Sequence, residues 1–280
     1  MKIFRSIPET KNFVGALKNN RASIGFVPTM GALHPGHISL IERAKRENDV
    51  VGCSIFVNPI QFNNKEDLEK YPRTFDEDAE KLINAGCDFI FNPGNNEMYP
   101  KPATEQYDFG QLDKVMEGAH RPGHFNGVAV VVRKLFDIMN PTRAYFGMKD
   151  YQQLCIVTAM TKNLKLAVQI VPCPTIRETD GLAMSSRNVR LSREARQIAP
   201  EIYRILHDAK QKHSLMSPFE LENWAKNEFS KFEEFTVEYF EIVDSKSLQS
   251  FGNWSDVESA IACTAVFLGG VRLIDNLIVY

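Results

Sequence analysis

The 280-residue sequence lacks the features that mark several large protein classes. It has no apolar run approaching the ~20 residues of a membrane span, and its opening residues, MKIFRSIPETKNF, contain no apolar signal-peptide segment. It also lacks an excess of either charge, because 33 lysine and arginine residues against 35 aspartate and glutamate residues leave a net charge of −2. That balance gives no reason to expect a nucleic-acid or anionic-membrane partner. We therefore expect a soluble, cytoplasmic protein.

Cysteine is scarce, and its spacing favours neither a disulfide framework nor a metal site. The five cysteines are odd in number, widely separated and mostly embedded in apolar runs. Such residues are typical of the reduced core of a cytosolic protein. Two familiar nucleotide motifs are absent as well, since the chain has no Gly-x-x-x-x-Gly-Lys-Ser/Thr loop and no Gly-x-Gly-x-x-Gly after its first apolar run.

The most informative stretch that is present spans residues 24–44 and reads IGFVPTMGALHPGHISLIERA. A strand pattern over 24–29 is followed by a turn with Pro28 and Gly31, and then by helical spacing over 37–48. Near the start of that helix, His34 and His37 lie three residues apart on one face. A helix start carries partial positive charge and unpaired N–H groups, so the pair predicts a phosphate site, whereas a single histidine there is usually only solvated. The spacing His-x-Gly-His resembles the "HIGH" signature of adenylate-forming synthetases and nucleotidyltransferases.

Alternating strand and helix patterns in the first half predict an α/β fold with a parallel sheet. The pattern is typical of a Rossmann-like, doubly wound sheet, whose ligands bind beyond the carboxyl ends of the strands. The predicted strands are 24–29, 50–57, 88–91, 143–146 and 167–171, and the predicted helices are 37–48, 75–85, 126–139 and 151–163.

The pattern changes after residue 176 to one of helices followed by strands. Ser192 is expected to cap a long helix over 192–212, and Ser217 a second helix that runs toward residue 231. Strand patterns follow at 236–243, 260–268 and 271–279, and the polar pair Asp275-Asn276 interrupts the last of them. We predict a Rossmann-like, nucleotide-binding domain over 1–176 and a smaller α+β C-terminal domain over 177–280.

Polar residues cluster in the loops that follow three of the predicted strands. The loop after residue 57 holds Asn58 and Gln61, whose neutral amides suit hydroxyl or carbonyl groups. Because this connection runs to Asp78, we expect either an active-site lid or a merely mobile segment.

The other two polar loops carry cationic and hydroxyl side chains. FGMKDYQQL places Lys149 and Asp150 at a strand-to-helix turn, where phosphate and ribose contacts compete with a plain solvated ion pair. GLAMSSRN supplies two hydroxyls and the guanidinium of Arg187, a set suited to polyphosphate unless the stretch is only a linker.

Six motifs in this order over about residues 24–190 closely resemble the pantothenate synthetase (pantoate-beta-alanine ligase) family. They are VPTMGALHPGH, SIFVNPIQF, YPRTFDEDAEKL, HFNGVAVVV, FGMKDYQQL and GLAMSSRN. The resemblance implies a two-step ligation in which pantoate and ATP give pantoyl adenylate and pyrophosphate, and beta-alanine then gives pantothenate and AMP. It also implies Mg²⁺ with ATP, with metal ligands that the sequence does not identify, and a homodimer.

The resemblance also assigns roles to residues of this sequence. His37 is implied as the proton donor, with His34, Lys149 and Arg187 as further catalytic groups. Gln61 is implied in binding pantoate and beta-alanine and Gln153 in binding pantoate, with Asn58 as a further substrate contact. The residues implied in ATP binding are Met30, Gly31, Ala32, Leu33, His34, Pro35, Gly36, His37, Gly147, Met148, Lys149, Asp150, Ile176, Met184, Ser185, Ser186 and Arg187.

Two other functions share part of this pattern. Another HIGH-type nucleotidyltransferase acting on a small molecule would use the same histidines but would release a nucleotide product other than AMP. A catalytically silent nucleotide-binding module would not need so complete a set of polar residues.

Overall fold

The computed structural model describes residues 1–280 and contains nine strands and eleven α-helices. The strands are β1 (Lys2–Phe4), β2 (Ile24–Thr29), β3 (Val50–Ile55), β4 (Phe89–Phe91), β5 (Arg143–Gly147), β6 (Gln169–Cys173), β7 (Phe235–Asp244), β8 (Ala260–Leu268) and β9 (Val271–Ile278). The helices are α1 (Ile7–Asn19), α2 (Pro35–Glu47), α3 (Lys65–Glu69), α4 (Phe75–Asn84), α5 (Asn95–Met98), α6 (Met116–His120), α7 (His124–Met139), α8 (Tyr151–Asn163), α9 (Arg193–Ile198), α10 (Glu201–Lys212) and α11 (Pro218–Phe229). None of these helices has both the length and the apolar character that a membrane crossing requires.

The chain divides into two compact units. Unit 1 comprises Met1–Phe109, Arg121–Met148 and Gln153–Pro174, and unit 2 comprises Gly110–His120, Lys149–Gln152 and Thr175–Tyr280. Two short internal segments therefore group with the C-terminal part of the chain. The domain boundary expected from the sequence at 176/177 stays a prediction.

Unit 1 is built on a six-stranded sheet in the order β1-β4-β3-β2-β5-β6, and all neighbouring strands are parallel. The strand order reverses between β2 and β5, and the crevice at such a switch point is where open α/β sheets bind ligands. One face of the sheet packs an apolar cluster against α2 and α4 that includes Val27, Ile41 and Leu82, each fully buried. This architecture confirms the predicted Rossmann-like fold.

Unit 2 contains the three-stranded antiparallel sheet β7-β8-β9. Its apolar cluster joins β7 and β8 to the buried faces of α10 and α11, with Ile205, Leu221 and Phe240 fully buried. The smaller α+β fold predicted for the C-terminal part is thus confirmed.

The predicted long helix over 192–212 is wrong, because the chain forms α9 and α10 instead. Pro200 lies between them, and a proline has no N–H with which to continue the hydrogen-bond ladder of α9. The predicted caps are present, since Ser192 accepts from the N–H of Ala195 at 3.2 Å and Ser217 from that of Glu220 at 3.4 Å.

Other differences concern short or polar segments. The sequence patterns did not predict β1, α1, α3, α5 or α6. The expected interruption of the last strand does not occur, because β9 runs without a break through Asp275 and Asn276, which are 4% and 7% exposed. Two strands differ by two residues, since β3 stops at Ile55 and β6 lies two residues later than expected. The ends of β4, β5, β7 and β9 differ from the prediction by one residue.

Candidate functional site

The turn after β2 is held by a carboxylate of helix α4. Asp78 is fully buried, and its Oδ2 and Oδ1 accept hydrogen bonds from the backbone N–H groups of Ala32 at 2.8 Å and Leu33 at 2.7 Å. Three residues later on the same helix, Lys81 donates its Nζ to the carbonyl of Leu33 at 2.9 Å. Gly31 and Ala32 both have positive φ, at 87° and 51°, and this conformation costs energy for alanine. Asp78 therefore stabilises a strained turn that leads directly into the histidine pair.

His34 and His37 cap the N-terminus of α2 reciprocally. The Nδ1 atom of His34 accepts from the N–H of Gly36 at 3.2 Å, and the Nδ1 atom of His37 accepts from the N–H of His34 at 3.3 Å. The two ring centroids lie 4.1 Å apart. A neutral imidazole whose Nδ1 accepts a hydrogen bond carries its proton on Nε2, so this geometry assigns the Nε2–H tautomer to both rings.

The helix start does not offer the unpaired backbone donors that the sequence pattern predicted. Besides the two N–H groups that donate to the rings, the N–H of His37 bonds to the carbonyl of His34 at 2.8 Å, and Pro35 has none. The sequence pattern could not show this because the caps are imidazoles rather than Ser or Asp. The partial positive charge of the helix dipole remains at this end of α2. The groups that can donate hydrogen bonds to a phosphate here are the imidazole Nε2–H groups rather than backbone N–H groups.

An amide pair follows strand β3. The Nδ2 of Asn58 donates to the Oε1 of Gln61 at 3.0 Å and to the carbonyl of Gly127 at 3.1 Å, and its Oδ1 accepts from the hydroxyl of Tyr99 at 2.8 Å. Burial raises the pKa of Tyr99, which keeps this hydroxyl a donor. Asn58 is 1% exposed and engaged at both ends of its amide. It orients Gln61 in this structure, and its predicted direct contact with substrate stays a prediction.

Gln61 connects this amide pair to the turn after β2. Its Nε2 donates to the Sδ of Met30 at 3.2 Å, a weak acceptor that a polar substrate group could replace. Its backbone carbonyl lies 2.7 Å from the Nδ1 of His124 at the start of α7. Gly127 allows the close approach of α7, because a Cβ there would lie 2.5 Å from the carbonyl oxygen of Ile60.

The long connection that we expected as a lid is only partly exposed. Tyr71 is 6% exposed, and Asp78 belongs to α4. The main run of exposed residues lies in the interval 63–70, which includes the short helix α3, and Arg73, Asp76 and Glu77 are also exposed. The lid stays a prediction, and its candidate extent is now this interval.

The remaining predicted cationic and hydroxyl groups lie in unit 2. Lys149 is 18% exposed at its side chain, and its Nζ lies 3.9 Å from the Oδ1 of Asp150. Residues 176–184 form a hairpin in which the N–H of Met184 donates to the carbonyl of Ile176 at 3.0 Å. Beyond it, the hydroxyl of Ser185 accepts from the N–H of Arg187 at 3.2 Å, which holds the Met184–Arg187 segment in a tight turn.

The predicted residues therefore separate by unit. Unit 1 brings together two motifs through the Gln61 to Met30 contact, and it places the residues after β2 beside those after β5 at the switch point. Unit 1 holds Met30 to His37, Asn58, Gln61, Gly147, Met148 and Gln153; unit 2 holds Lys149, Asp150, Ile176 and Met184 to Arg187.

No group of three or more histidine, cysteine, aspartate or glutamate side chains in residues 1–280 is arranged to hold a metal ion. A protein-built cage for a metal does not fit this structure. All five cysteines are free thiols, and burial raises the pKa of Cys87 to about 12 and of Cys155 to about 12, which suits inert core residues.

The sequence model of the family described as Pantoate-beta-alanine ligase matches residues 2–278. The chain belongs to the pantoate-beta-alanine ligase family. Curated relatives include a pantothenate synthetase from Porphyromonas gingivalis, 52% identical over 277 residues that cover 99% of both chains, and one from Phocaeicola vulgatus, 49% identical over 278 residues with the same coverage.

Solved structures of this family superpose closely on the chain. A pantothenate synthetase from Thermus thermophilus has a TM-score of 0.93 at 45% identity, with 100% of both chains covered. A pantoate-beta-alanine ligase from Francisella tularensis, complexed with beta-gamma ATP and beta-alanine, has a TM-score of 0.83 at 37% identity and covers 100% of this chain and 98% of its own.

Several residues of this ligase-family chain were missed as site components by the sequence reasoning. The sequence patterns assigned no role to Asp78, Tyr99 or His124. Only the fold shows that Asp78 positions the turn after β2 and that the other two residues hold the amide pair. A signal existed in part, since Asp78 and His124 lie inside the quoted family motifs YPRTFDEDAEKL and HFNGVAVVV.

Proposed function

We propose that the protein condenses pantoate with beta-alanine to pantothenate in an ATP-dependent reaction, through a pantoyl adenylate. The observation that carries this proposal is the family match over residues 2–278, which includes every loop identified from the chemistry of its side chains. The enzyme is accordingly a pantoate-beta-alanine ligase that forms AMP and serves pantothenate biosynthesis.

The first step makes the mixed anhydride. A carboxylate oxygen of pantoate attacks the α-phosphorus of ATP, the bond from that phosphorus to the bridging oxygen breaks, and pyrophosphate leaves with the electron pair. Negative charge grows on the departing oxygens, so donors placed there lower the barrier. The Nε2–H groups of His34 and His37 are such donors, and we assign proton donation to His37.

The second step consumes the anhydride. The amine of beta-alanine attacks the acyl carbon, the bond from that carbon to the phosphate oxygen breaks, AMP leaves, and the amine nitrogen loses a proton. Water would attack the same carbon, so the anhydride must be shielded until beta-alanine arrives. Closure of the exposed interval 63–70 would provide such shielding.

We assign the amides to pantoate and the cations to the phosphates. Gln61 and Gln153 present a donor and an acceptor together, which matches a hydroxyl beside a carboxylate. Gln61 would bind beta-alanine as well. Lys149, Ser185, Ser186 and Arg187 supply positive charge and hydroxyl donors to the polyphosphate. The residues Met30 to His37, Gly147 to Asp150, Ile176 and Met184 would line the adenosine site.

We propose that magnesium would reach the site with ATP, whose phosphate oxygens, together with water, would supply its ligands. This fits the general behaviour of Mg²⁺, which keeps several waters and uses few protein carboxylates. We also propose, from the family resemblance, a cytoplasmic homodimer. Sedimentation equilibrium at several protein concentrations would test the dimer.

The deciding experiment uses pantoate labelled with ¹⁸O in its carboxylate. The protein is incubated with this pantoate, ATP, Mg²⁺ and beta-alanine, and the products are identified by mass spectrometry. One ¹⁸O atom must appear in AMP, because the attacking carboxylate oxygen stays on phosphorus when the acyl–oxygen bond breaks. Pantothenate should appear in equal amount.

Two controls separate the proposal from its alternatives. Without beta-alanine, pyrophosphate should form only to about one equivalent of enzyme. In the complete mixture with beta-alanine, a released product in which the nucleotide stays attached to the small molecule would instead indicate a nucleotidyltransferase. Unlabelled AMP, or no AMP at all, contradicts the adenylate pathway.

A further inference from the structure

The polar pair Asp275-Asn276 lies inside β9, between the apolar residues Leu273 and Leu277. Both polar residues are buried, at 4% and 7% exposure. A buried carboxylate or amide in a strand is costly unless its hydrogen bonds are satisfied, so their partners indicate why the positions are polar.

Asn276 is bonded to the main chain at Lys149. Its Nδ2 donates to the carbonyl oxygen of Lys149 at 2.7 Å, although the two residues are 127 positions apart in sequence. Both belong to unit 2. This contact fixes the backbone from which the Lys149 side chain extends.

Asp275 is bonded to the hairpin that precedes the Met184–Arg187 segment. Its Oδ2 and Oδ1 accept from the Nη1 and Nη2 of Arg177 at 2.6 and 3.0 Å, a bidentate pair. Nη2 also donates to the carbonyl of Asn276 at 3.2 Å. The guanidinium is stacked over the ring of Tyr203 at 3.9 Å, which restricts its orientation.

The hairpin connects Arg177 to the Met184–Arg187 segment, which carries the hydroxyls and the cation. Arg177 and Ala183 form an isolated antiparallel β-bridge, and the N–H of Glu178 donates to the carbonyl of Leu182 at 2.8 Å. Ser185 and Arg187 follow on the second arm. Asp275 and Asn276 are thus adjacent residues of one strand that hold two separate segments, each of which carries cations assigned to the phosphates.

We propose that Asn276 is a positioning residue for Lys149 in the adenylation step. Asp275, through Arg177, holds the segment that bears Arg187 in a fixed position relative to Lys149. This inference rests on the proposed function, because it takes Lys149 as a phosphate-binding cation. Rigid placement of both cations before ATP arrives reduces the ordering that the transition state would otherwise require.

The test is a double-mutant cycle on the rate of pantoyl adenylate formation in single turnovers of the full-length enzyme. The four proteins are the wild type, Asn276→Ala, Lys149→Ala and the double variant. If Asn276 acts through Lys149, Asn276→Ala should lower the rate by about ten- to a hundredfold in the wild type. In the Lys149→Ala background it should change the rate by no more than about twofold.

A matched control comes from the neighbouring strand. Thr264 is fully buried, is paired with Asp275 across the sheet, and donates its hydroxyl to the carbonyl of Tyr239 at 2.9 Å. Thr264→Ala removes a buried donor to a carbonyl other than that of Lys149. It should leave the adenylation rate within about twofold of the wild type, although it lowers stability.

The outcomes separate the inference from the proposed function. A wild type that forms no AMP from pantoate contradicts the function itself. An equal loss from Asn276→Ala in both backgrounds, a full rate in Lys149→Ala, or an equal loss in Thr264→Ala overturns the positioning role while the overall reaction stands. Asn276→Asp, which keeps the volume but lacks the donor, repeats the cycle if the alanine variant is unfolded; if both are unfolded, the amide is only a structural support and the inference is wrong.

Discussion

Two buried aspartates hold the two halves of the proposed machinery, and they do so with different partners. Asp78 in unit 1 binds two backbone N–H groups at 2.8 and 2.7 Å and accepts from the hydroxyl of Thr74 at 3.2 Å. Asp275 in unit 2 binds the guanidinium of Arg177. Asp78 accepts from neutral donors alone, whereas Asp275 accepts from a charged side chain and also from the backbone N–H of Asn276 at 2.7 Å.

The two arrangements should respond differently to substitution. Two separate amide groups need both oxygens of Asp78, so a neutral side chain with one acceptor leaves a buried N–H unpaired. A buried ion pair offsets its own desolvation only in part, so the shape of Asp275 should matter more than its charge. Substitutions test this contrast, and the largest effect is expected for the chemistry of the histidine pair that follows the Asp78 turn.

The largest expected effect is that of His37→Ala on the adenylation rate. Loss of a general acid lowers a rate by typically ~10²–10⁴-fold. The same substitution removes a helix cap, which costs about 0.5–2 kcal/mol of folding stability. Rapid-quench measurement of pyrophosphate release, together with urea unfolding, gives both quantities.

His37→Gln separates these two roles. Glutamine three residues after a cap can accept from the cap N–H as His37 does, so the unfolding free energy should recover. The rate should stay low, because an amide does not transfer a proton. Recovery of the rate along with stability would show that His37 acts only as a cap.

The next largest effect is on ligand affinity, where the amide and cationic side chains should differ in the ligand that they bind. Gln153→Ala should weaken pantoate and leave ATP nearly unchanged, and Arg187→Ala should do the reverse. Loss of a buried hydrogen bond to a charged group is worth ~1.5–3 kcal/mol, about ten- to more than a hundredfold in affinity. Calorimetric titration of each ligand into each variant measures it, and loss of ATP binding in both variants would assign Gln153 to the nucleotide instead.

The elements best predicted from sequence are those whose pattern is local. Helix α8 and strand β8 have the predicted bounds, because apolar periodicity and flanking turn residues determine them without reference to the rest of the chain. Pro200 was also a local signal, because a proline lacks the N–H that would continue a helix. The apolar periodicity continues on both sides of Pro200, and it therefore led to the prediction of a single helix.

The supporting contacts of the site could not be predicted in the same way. Asn276 meets Lys149 across 127 residues, and Asp78 meets Ala32 across 46. Nothing in the sequence near either residue specifies such a partner. The pair Asp275-Asn276 was wrongly predicted to interrupt a strand. In the sequence, polar residues that bond to distant partners look the same as the polar residues at the end of a strand.

A smaller effect is expected for Asp78→Asn on stability. The amide offers one acceptor where two N–H groups need one each, so we expect a loss of ~1–3 kcal/mol in the free energy of unfolding. Asp76→Asn is a matched control, because it removes the same charge from an exposed position in the same helical turn. Urea unfolding of the three proteins measures the difference; equal effects for both variants would show that only the interaction with the helix dipole matters.

The smallest effect concerns the pH dependence of stability near Asp275. Burial raises the pKa of the Asp275 carboxyl, and the Arg177 guanidinium and the charge of Lys149 oppose that rise. A group whose pKa is higher when folded stabilises the protein fully below its unfolded value, about 3.9, and that contribution is lost as the pH rises through the folded value. The wild type should therefore lose stability relative to Asp275→Asn as the pH rises above about 3.9. Asp49 should show the opposite slope at lower pH, because the hydroxyl and N–H of Ser23 lower its pKa. Its contribution to stability is present above its unfolded pKa, about 3.9, and is lost as the pH falls below that value. Urea unfolding of wild type, Asp275→Asn and Asp49→Asn at pH values well below and well above about 3.9 measures both slopes. Slopes of the same sign would mean that Arg177 outweighs burial at Asp275.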